Sequence, residues 1–177
     1  MNERVIMNSS DIDRSLERIS MEILERNHGA EGLVIIGIHT GGVFLAERIR
    51  EKIARSENIS LPLGSLDITL YRDDWSLISQ QPIVKKTGID FHVEDQKVIL
   101  IDDVLFTGRT IRAAMDAIMD YGRPRSIQLA VLVDRGEREL PIQPDYVGQV
   151  VEVGAAEQVD VLLREKDERD RVIIVAK

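Results

Sequence analysis

Three stretches of this chain are apolar almost without interruption: residues 33–38 (LVIIGI), 98–101 (VILI) and 127–133 (IQLAVLV). A strand with one wet face alternates polar and apolar residues, so runs like these belong to strands covered on both faces. Helical periodicity separates them. Ile12, Leu16, Ile19, Ile23 and Leu24 recur at helical spacing within residues 11–26, with Ser10 as an N-cap and Asn27-His28-Gly29 as a stop. A second helix is predicted from about residue 43 to 55. A third, over 110–121, carries Ile111, Met115, Ile118 and Met119 on one side and ends at Gly122 and Pro124. Strands alternating with helices predict an α/β domain with a mainly parallel central sheet and helices on both faces. Residues 66–71 (LDITLY) alternate like a further strand. Residues 72–95, with Pro82 and Gly88, have weak periodicity and are expected to form a flexible lid or β-arm. Residues 146–151, 159–163 and 172–175 are short final strands, and REKDERDR at 164–171 is expected to be a solvated turn.

Composition removes several function classes. The chain has 177 residues, enough for one domain spanning 1–177. It has no cysteine, which excludes disulfides and thiolate metal sites. Its three histidines, His28, His39 and His92, are scattered rather than paired at ligand spacing. No apolar run approaches the ~20 residues needed to span a bilayer. The first residues, MNERVIMNSSDIDRS, lack a signal peptide's basic and apolar regions, so a cytoplasmic location without membrane attachment is expected. A net charge of −8 argues against a globally basic nucleic-acid binder.

The chemistry concentrates in residues 98–110, VILIDDVLFTGRT. In open parallel sheets, ligands bind beyond the carboxyl ends of the strands, near a topological switch point. Three loops leave such ends, at 39–42, 102–110 and 134–136, and are expected to converge on one cleft. The carboxylates of Asp102 and Asp103 can accept hydrogen bonds from vicinal hydroxyls and sit well beside a carbon that becomes cationic. Thr107, Gly108 and Thr110 precede and open a helix, whose unpaired N–H groups suit a phosphate monoester. An acid pair at a strand–helix junction can also be a solvated turn. Joined to the glycine loop and the helix start, it points to a phosphorylated sugar as ligand.

This segment resembles the phosphoribosyl-pyrophosphate (PRPP) motif of type I phosphoribosyltransferases. DITLYRDD (67–74), GRPRSIQLAVLVDRG (122–136) and RELPI (138–142) are similar to the PyrR family, pyrimidine-operon attenuation regulators that also act as uracil phosphoribosyltransferases. The similarity runs from about residue 10 to 150 and fades beyond. It implies a type I phosphoribosyltransferase fold, with residues 146–177 and N-terminal elements forming a small hood. The implied reaction is uracil plus PRPP giving UMP and pyrophosphate, with Mg²⁺ bound mainly through the substrate's own oxygens. By position, Asp102 and Asp103 would bind the ribose hydroxyls, Thr107, Gly108, Arg109 and Thr110 the 5-phosphate, and Val104 would also contact PRPP. Thr40 and Gly41 fall in the pyrophosphate loop. Tyr71, Arg72, Asp73 and Asp74 would belong to the lid, where Arg72 is a clamp for pyrophosphate. Asp134 and Arg135 would face the same cleft, with Asp134 contacting metal-bound water. Asp102, Asp103, Arg72 and Asp134 are thus the expected catalytic set. Val150 and Val151 adjoin the expected base site. A homodimer or higher homo-oligomer is implied as well.

Three departures from the family pattern carry expectations. Gly41 stands where the family usually has arginine, so Gly41→Arg is expected to tighten PRPP binding unless Arg72 already compensates. The RNA-facing surface carries Met21, Glu137, Gln143 and Gln149 in place of histidine or basic residues. Arg18, Arg26 and Arg138 remain as contacts for pyrimidine-operon leader RNA, and weak RNA binding is expected. Residues 151–157 (VEVGAAE), expected to close over the base, are small and acidic. The alternative implied by the same family is a UMP-sensing RNA-binding regulator in which catalysis is incidental.

Overall fold

The computed structural model describes residues 3–73 and 86–177. In chain order the elements are β1 (Arg4–Met7), α1 (Ser9–Asn27), β2 (Leu33–Ile38), α2 (Gly41–Glu57), β3 (Leu63–Leu66), β4 (Lys97–Leu105), α3 (Arg109–Met119), β5 (Ser126–Asp134), β6 (Tyr146–Val150), β7 (Glu157–Leu162), α4 (Arg164–Asp167) and β8 (Arg171–Ala176). The apolar runs lie side by side. β3, β2, β4, β5 and β6 form a five-stranded sheet in that order, every neighbouring pair parallel. This is the doubly covered parallel sheet that the sequence predicts.

The period-2 geometry of the strands divides the core in two. Leu33, Ile35, Ile99, Ile101, Ala130 and Leu132 face α1 and α2. Val34, Ile36, Val98, Leu100, Leu129 and Val131 face α3 through Ile111, Ala114 and Ile118. Sheet order sets the position of the site. The chain leaves β2 through α2 toward β3 on one side, and leaves β4 through α3 toward β5 on the other. A crevice therefore opens between the carboxyl ends of β2 and β4.

Four boundaries differ from expectation for local reasons. The N-cap of α1 is Asn8, not Ser10: its side chain accepts from the Asp11 N–H while Asp11 accepts from the Asn8 N–H, each at 3.0 Å. β4 continues past the acid pair to Leu105, because Val104 and Leu105 pair with Val133 and Asp134. Residues 66–71 do not form one strand. Asp67 accepts from both the N–H and the hydroxyl of Thr69, an Asx-type turn that replaces ladder bonds and leads into a 3₁₀ turn at Thr69–Tyr71. β6 pairs with β5 in the main sheet, so the hood does not begin at residue 146. The hood is a separate antiparallel sheet of order β1-β8-β7, with α4 between β7 and β8. Of the expected lid at 72–95, residues 74–85 lie outside the described residues. No helix among the described residues is long and apolar enough to cross a membrane.

The segment expected to be a solvated turn is instead an anchoring point. Arg48 of α2 reaches Glu165 at 2.8 and 2.7 Å and Asp170 at 3.1 and 2.7 Å. The Arg48 side chain is 11% exposed and that of Asp170 5%. This bidentate fork holds the hood against α2, the helix that starts at the crevice. Burial disfavours the Arg48 charge, but Glu165 and Asp170 outweigh it and stabilise the cation. Arg48→Ala leaves Asp170 buried without its cation and is expected to cost about 3 kcal/mol or more. Urea denaturation of the variant beside the parent measures this.

Candidate active site

The crevice is a cleft of about 320 Å³. One wall is the turn from β2 into α2, with His39, Thr40, Gly41 and Phe44. Its floor is the end of β4, with Asp102, Asp103 and Val104, and Thr110 at the start of α3. Arg72 closes one side, and the hood contributes Val161, Leu163, Lys166 and Asp167. Asp102 and Asp103 therefore meet in one site although they are adjacent on a strand.

Close backbone approach makes this possible. A Cβ on Gly42 would lie 2.3 Å from the Ile101 carbonyl oxygen, and a Cβ on Gly41 would lie 2.3 Å from Oδ2 of Asp103. The glycine pair lets the loop rest directly on the acid pair. A side chain at Gly41 must first displace the Asp103 carboxylate, so an arginine there does not simply add a cation to the wall.

The acid pair is electrostatically exceptional. Asp102 is only 7% exposed. Its carboxylate accepts from the Asp103 N–H at 3.0 Å, and Asp103 accepts from the Val104 N–H at 2.8 Å. Burial, followed by the Asp103 charge, pushes the Asp102 carboxyl well above the usual range. Burial raises Asp103 too, against opposing backbone hydrogen bonds and the positive field of Lys166. Among the described residues neither carboxylate has a salt-bridge partner. A buried, unneutralised pair costs folding free energy and suits a ligand that supplies hydroxyl donors or a cation.

The next turn is prepared for an anion. Gly108 is the N-cap of α3 with φ +92° and has no side chain to cap it; the Thr107 hydroxyl accepts from the Arg109 N–H at 3.3 Å, and the first turn has no acid. Such an end presents unpaired N–H groups and the positive end of the helix dipole. A second depression, lined by Arg72, Asp73, Thr107, Arg109 and Thr110, adjoins the main cleft here. Arg109 is held outward by Glu139 at 2.5 Å and Asp73 at 2.6 Å. Tyr71 hydrogen-bonds to Asp120, tying the residues before 74 to α3; Asp74 lies outside the described residues.

The third loop does not join the lining. Asp134 accepts from Arg138 at 2.6 Å and from the Gly136 N–H at 2.9 Å. Burial opposes its ionisation, but Arg138 and that N–H hold the carboxyl below the usual range. Asp134, the last residue of β5, is salt-bridged to Arg138 and does not line the cleft where it was expected to contact metal-bound water. Arg138 also donates to the carbonyls of Ile142, Phe106 and Gly136, so its guanidinium is engaged internally and is not offered as an RNA contact. Arg135 is buried 3.9 Å over the Phe106 ring and supports the loop from behind. Val150 is exposed and Val151 buried, and neither lines the cleft. Arg18 donates to the carbonyls of Val147 and Gly148, and Arg26 pairs with Asp145. Met21 is exposed on the same helix.

Sequence reasoning passed over His39, whose buried Nε2 has no partner among the described residues, and Lys166 and Asp167. His39 was legible as the residue after a buried strand. The hood residues were not, since their place depends on the Arg48 anchor. Among the described residues no three histidine, aspartate or glutamate side chains cluster as metal ligands. The carboxylate pair suits a hard cation that brings most of its own oxygen ligands.

Both carboxylates are raised in the folded state. Stability is therefore full below the unfolded value of 3.8 and declines as pH rises through the raised folded values. Asp102→Asn keeps the acceptor and removes the charge. It is expected to raise the neutral-pH melting temperature of the free protein, by roughly 2–4 °C per kcal/mol recovered, and to flatten this pH dependence. Calorimetry across that range checks it.

The phosphoribosyl transferase domain family matches residues 8–163. A bifunctional protein PyrR from Syntrophobacter fumaroxidans is 53% identical over 97% of this chain and 92% of its own length. The bifunctional protein PyrR of Thermoanaerobacter pseudethanolicus is 57% identical over 97% of both chains. The similarity thus continues through the hood rather than fading after residue 150. Among solved structures, a Staphylococcus aureus hypoxanthine phosphoribosyltransferase superposes with a TM-score of 0.71, covering 98% of this chain and 92% of that one at 21% identity. A Trypanosoma cruzi hypoxanthine phosphoribosyltransferase gives 0.74 over 98% and 91% at 17% identity. These two likenesses concern the fold alone.

Proposed function

The chain belongs to the phosphoribosyl transferase family and, within it, to the bifunctional PyrR proteins, and from that premise we propose that its cleft transfers phosphoribose from PRPP to uracil, giving UMP and pyrophosphate. The same protein regulates the pyrimidine operon in response to uridine nucleotides. The observation that carries the catalytic reading is the buried carboxylate pair on the cleft floor, without a protein cation paired to it among the described residues.

Asp102 and Asp103 accept the ribose hydroxyls and hold negative charge beside the anomeric carbon as it gains oxocarbenium character. The turn at Thr107–Thr110 and the first N–H groups of α3 receive the 5-phosphate. Val104 lines the floor between these two anchors. Thr40 and Gly41 border the pyrophosphate, and Arg72 faces it from the side. Mg²⁺ carried by the substrate's oxygens, when bound, neutralises the leaving group. The residues then act chiefly by holding reactants in line and by fixed electrostatics. Backbone groups near Val150 and Val151 stand beside the base. A homo-oligomer accords with the family. Leader RNA is contacted weakly, through Arg18 and Arg26.

Incubation with uracil, PRPP and Mg²⁺ should yield UMP and pyrophosphate, and orotate, hypoxanthine, guanine and adenine should give no product at equal enzyme. Turnover of another base in preference to uracil would refute the assignment. Gly41→Ala tests the wall. The added methyl displaces the Asp103 carboxylate, and kcat/KM for PRPP is expected to fall about tenfold, equivalent to ~1.4 kcal/mol. An unchanged value would show that the close contact is dispensable.

A further inference from the structure

We propose that Lys166, on the hood, is a positioning cation for the pyrophosphate group of PRPP, facing the acid pair from across the cleft. This rests on the phosphoribosyl-transfer reading of that cleft. Lys166 lines it together with Asp103, Thr40 and Gly41. Among the described residues its ammonium makes no hydrogen bond or salt bridge, although its field reaches Asp103. A lysine left unpaired over a cleft is available to an incoming anion.

Its surroundings set it apart from the nearby arginines. Arg109 is taken by Asp73 and Glu139, and Arg138 by Asp134. The facing turn, His39-Thr40-Gly41-Gly42, has no lysine or arginine. The acid pair would repel a polyanion, so the pyrophosphate end needs positive charge, from Arg72 at the side and from Lys166 on the hood. Lys166 is well held for that purpose. Its N–H donates to the Leu163 carbonyl at 2.9 Å, and Asp167 accepts from the Leu163 N–H at 3.1 Å. Flanking Glu165 and Asp170 are locked by Arg48 to α2, the helix that begins with Gly41. The backbone is therefore fixed relative to the pyrophosphate wall, while the lysine stem stays flexible. A compact charge on a flexible stem can follow a polyanion as it departs.

The test compares the parent, Lys166→Gln and Lys166→Arg by titration calorimetry with PRPP and Mg²⁺, and by steady-state kinetics. Lys166→Gln is expected to raise the Kd for PRPP about tenfold and to weaken product inhibition by pyrophosphate in parallel, with the KM for uracil unchanged. Lys166→Arg is expected to restore most of both. The difference should shrink in added salt, as a Coulombic contact requires. Equal PRPP affinity in parent and Lys166→Gln would overturn the inference, as would an effect on the uracil KM alone. The binding arm needs no uracil turnover. A parent that binds PRPP but does not convert uracil would sink the base assignment, and a tenfold difference in Kd would still support Lys166.

Discussion

The constraint on which the rest of the structure depends is the burial of two adjacent carboxylates at the end of the central strand. Asp102 and Asp103 sit on β4, between β2 and β5, where the order in which the chain adds strands reverses. No salt bridge among the described residues neutralises them, and burial holds both carboxyls above their usual range. Such a pair makes the free protein less stable than it could be. The apolar strands on either side are what allow it, since a well-packed core absorbs a local penalty of this kind. Strain kept at a site and compensated elsewhere is the common pattern where function and stability compete.

The remaining elements serve that pair. Gly41 and Gly42 let the pyrophosphate-side turn settle directly against it. The start of α3, with Gly108 as its N-cap, lies just beyond the pair and gives the proposed 5-phosphate position a helix N-terminus. The hood, a separate antiparallel sheet, is brought over the cleft by Arg48 through Glu165 and Asp170. A negative floor, a positive helix end and the single hood lysine on the lining, Lys166, together suit a sugar carrying phosphate at both ends. That polarity explains how a chain of net charge −8 can bind a polyanion: the local arrangement of charge matters more than its sum.

Much of this was legible from residue order. The apolar runs at 33–38, 98–101 and 127–133 predicted buried parallel strands, and these form the middle of the sheet. The acid pair, glycine and threonines of 102–110 located the floor of the cleft and the turn that borders it. What stayed hidden depended on contacts distant in sequence. The charged run at 164–171 has the composition of a solvated turn, and only its meeting with Arg48, more than a hundred residues earlier, makes it an anchor. Asp134 follows a buried strand as a site residue should, yet Arg138 four residues later captures it. β6 looked like part of the hood because it is short, but it completes the main sheet. Short-range pairings such as Asp67 with Thr69 also defeated the alternation at 66–71.

The central claim is that the carboxylate pair on the cleft floor anchors PRPP, whose hydroxyls and cation favour the ionised form that burial disfavours. The most direct measurement is proton exchange on binding PRPP with Mg²⁺, by calorimetry in buffers of different ionisation enthalpy over roughly pH 4 to 7. Binding should release protons from the parent in excess of those released with Asp102→Asn, with the excess fading as pH rises above the raised carboxyl values. Identical proton release by the parent and Asp102→Asn at every pH would contradict the account.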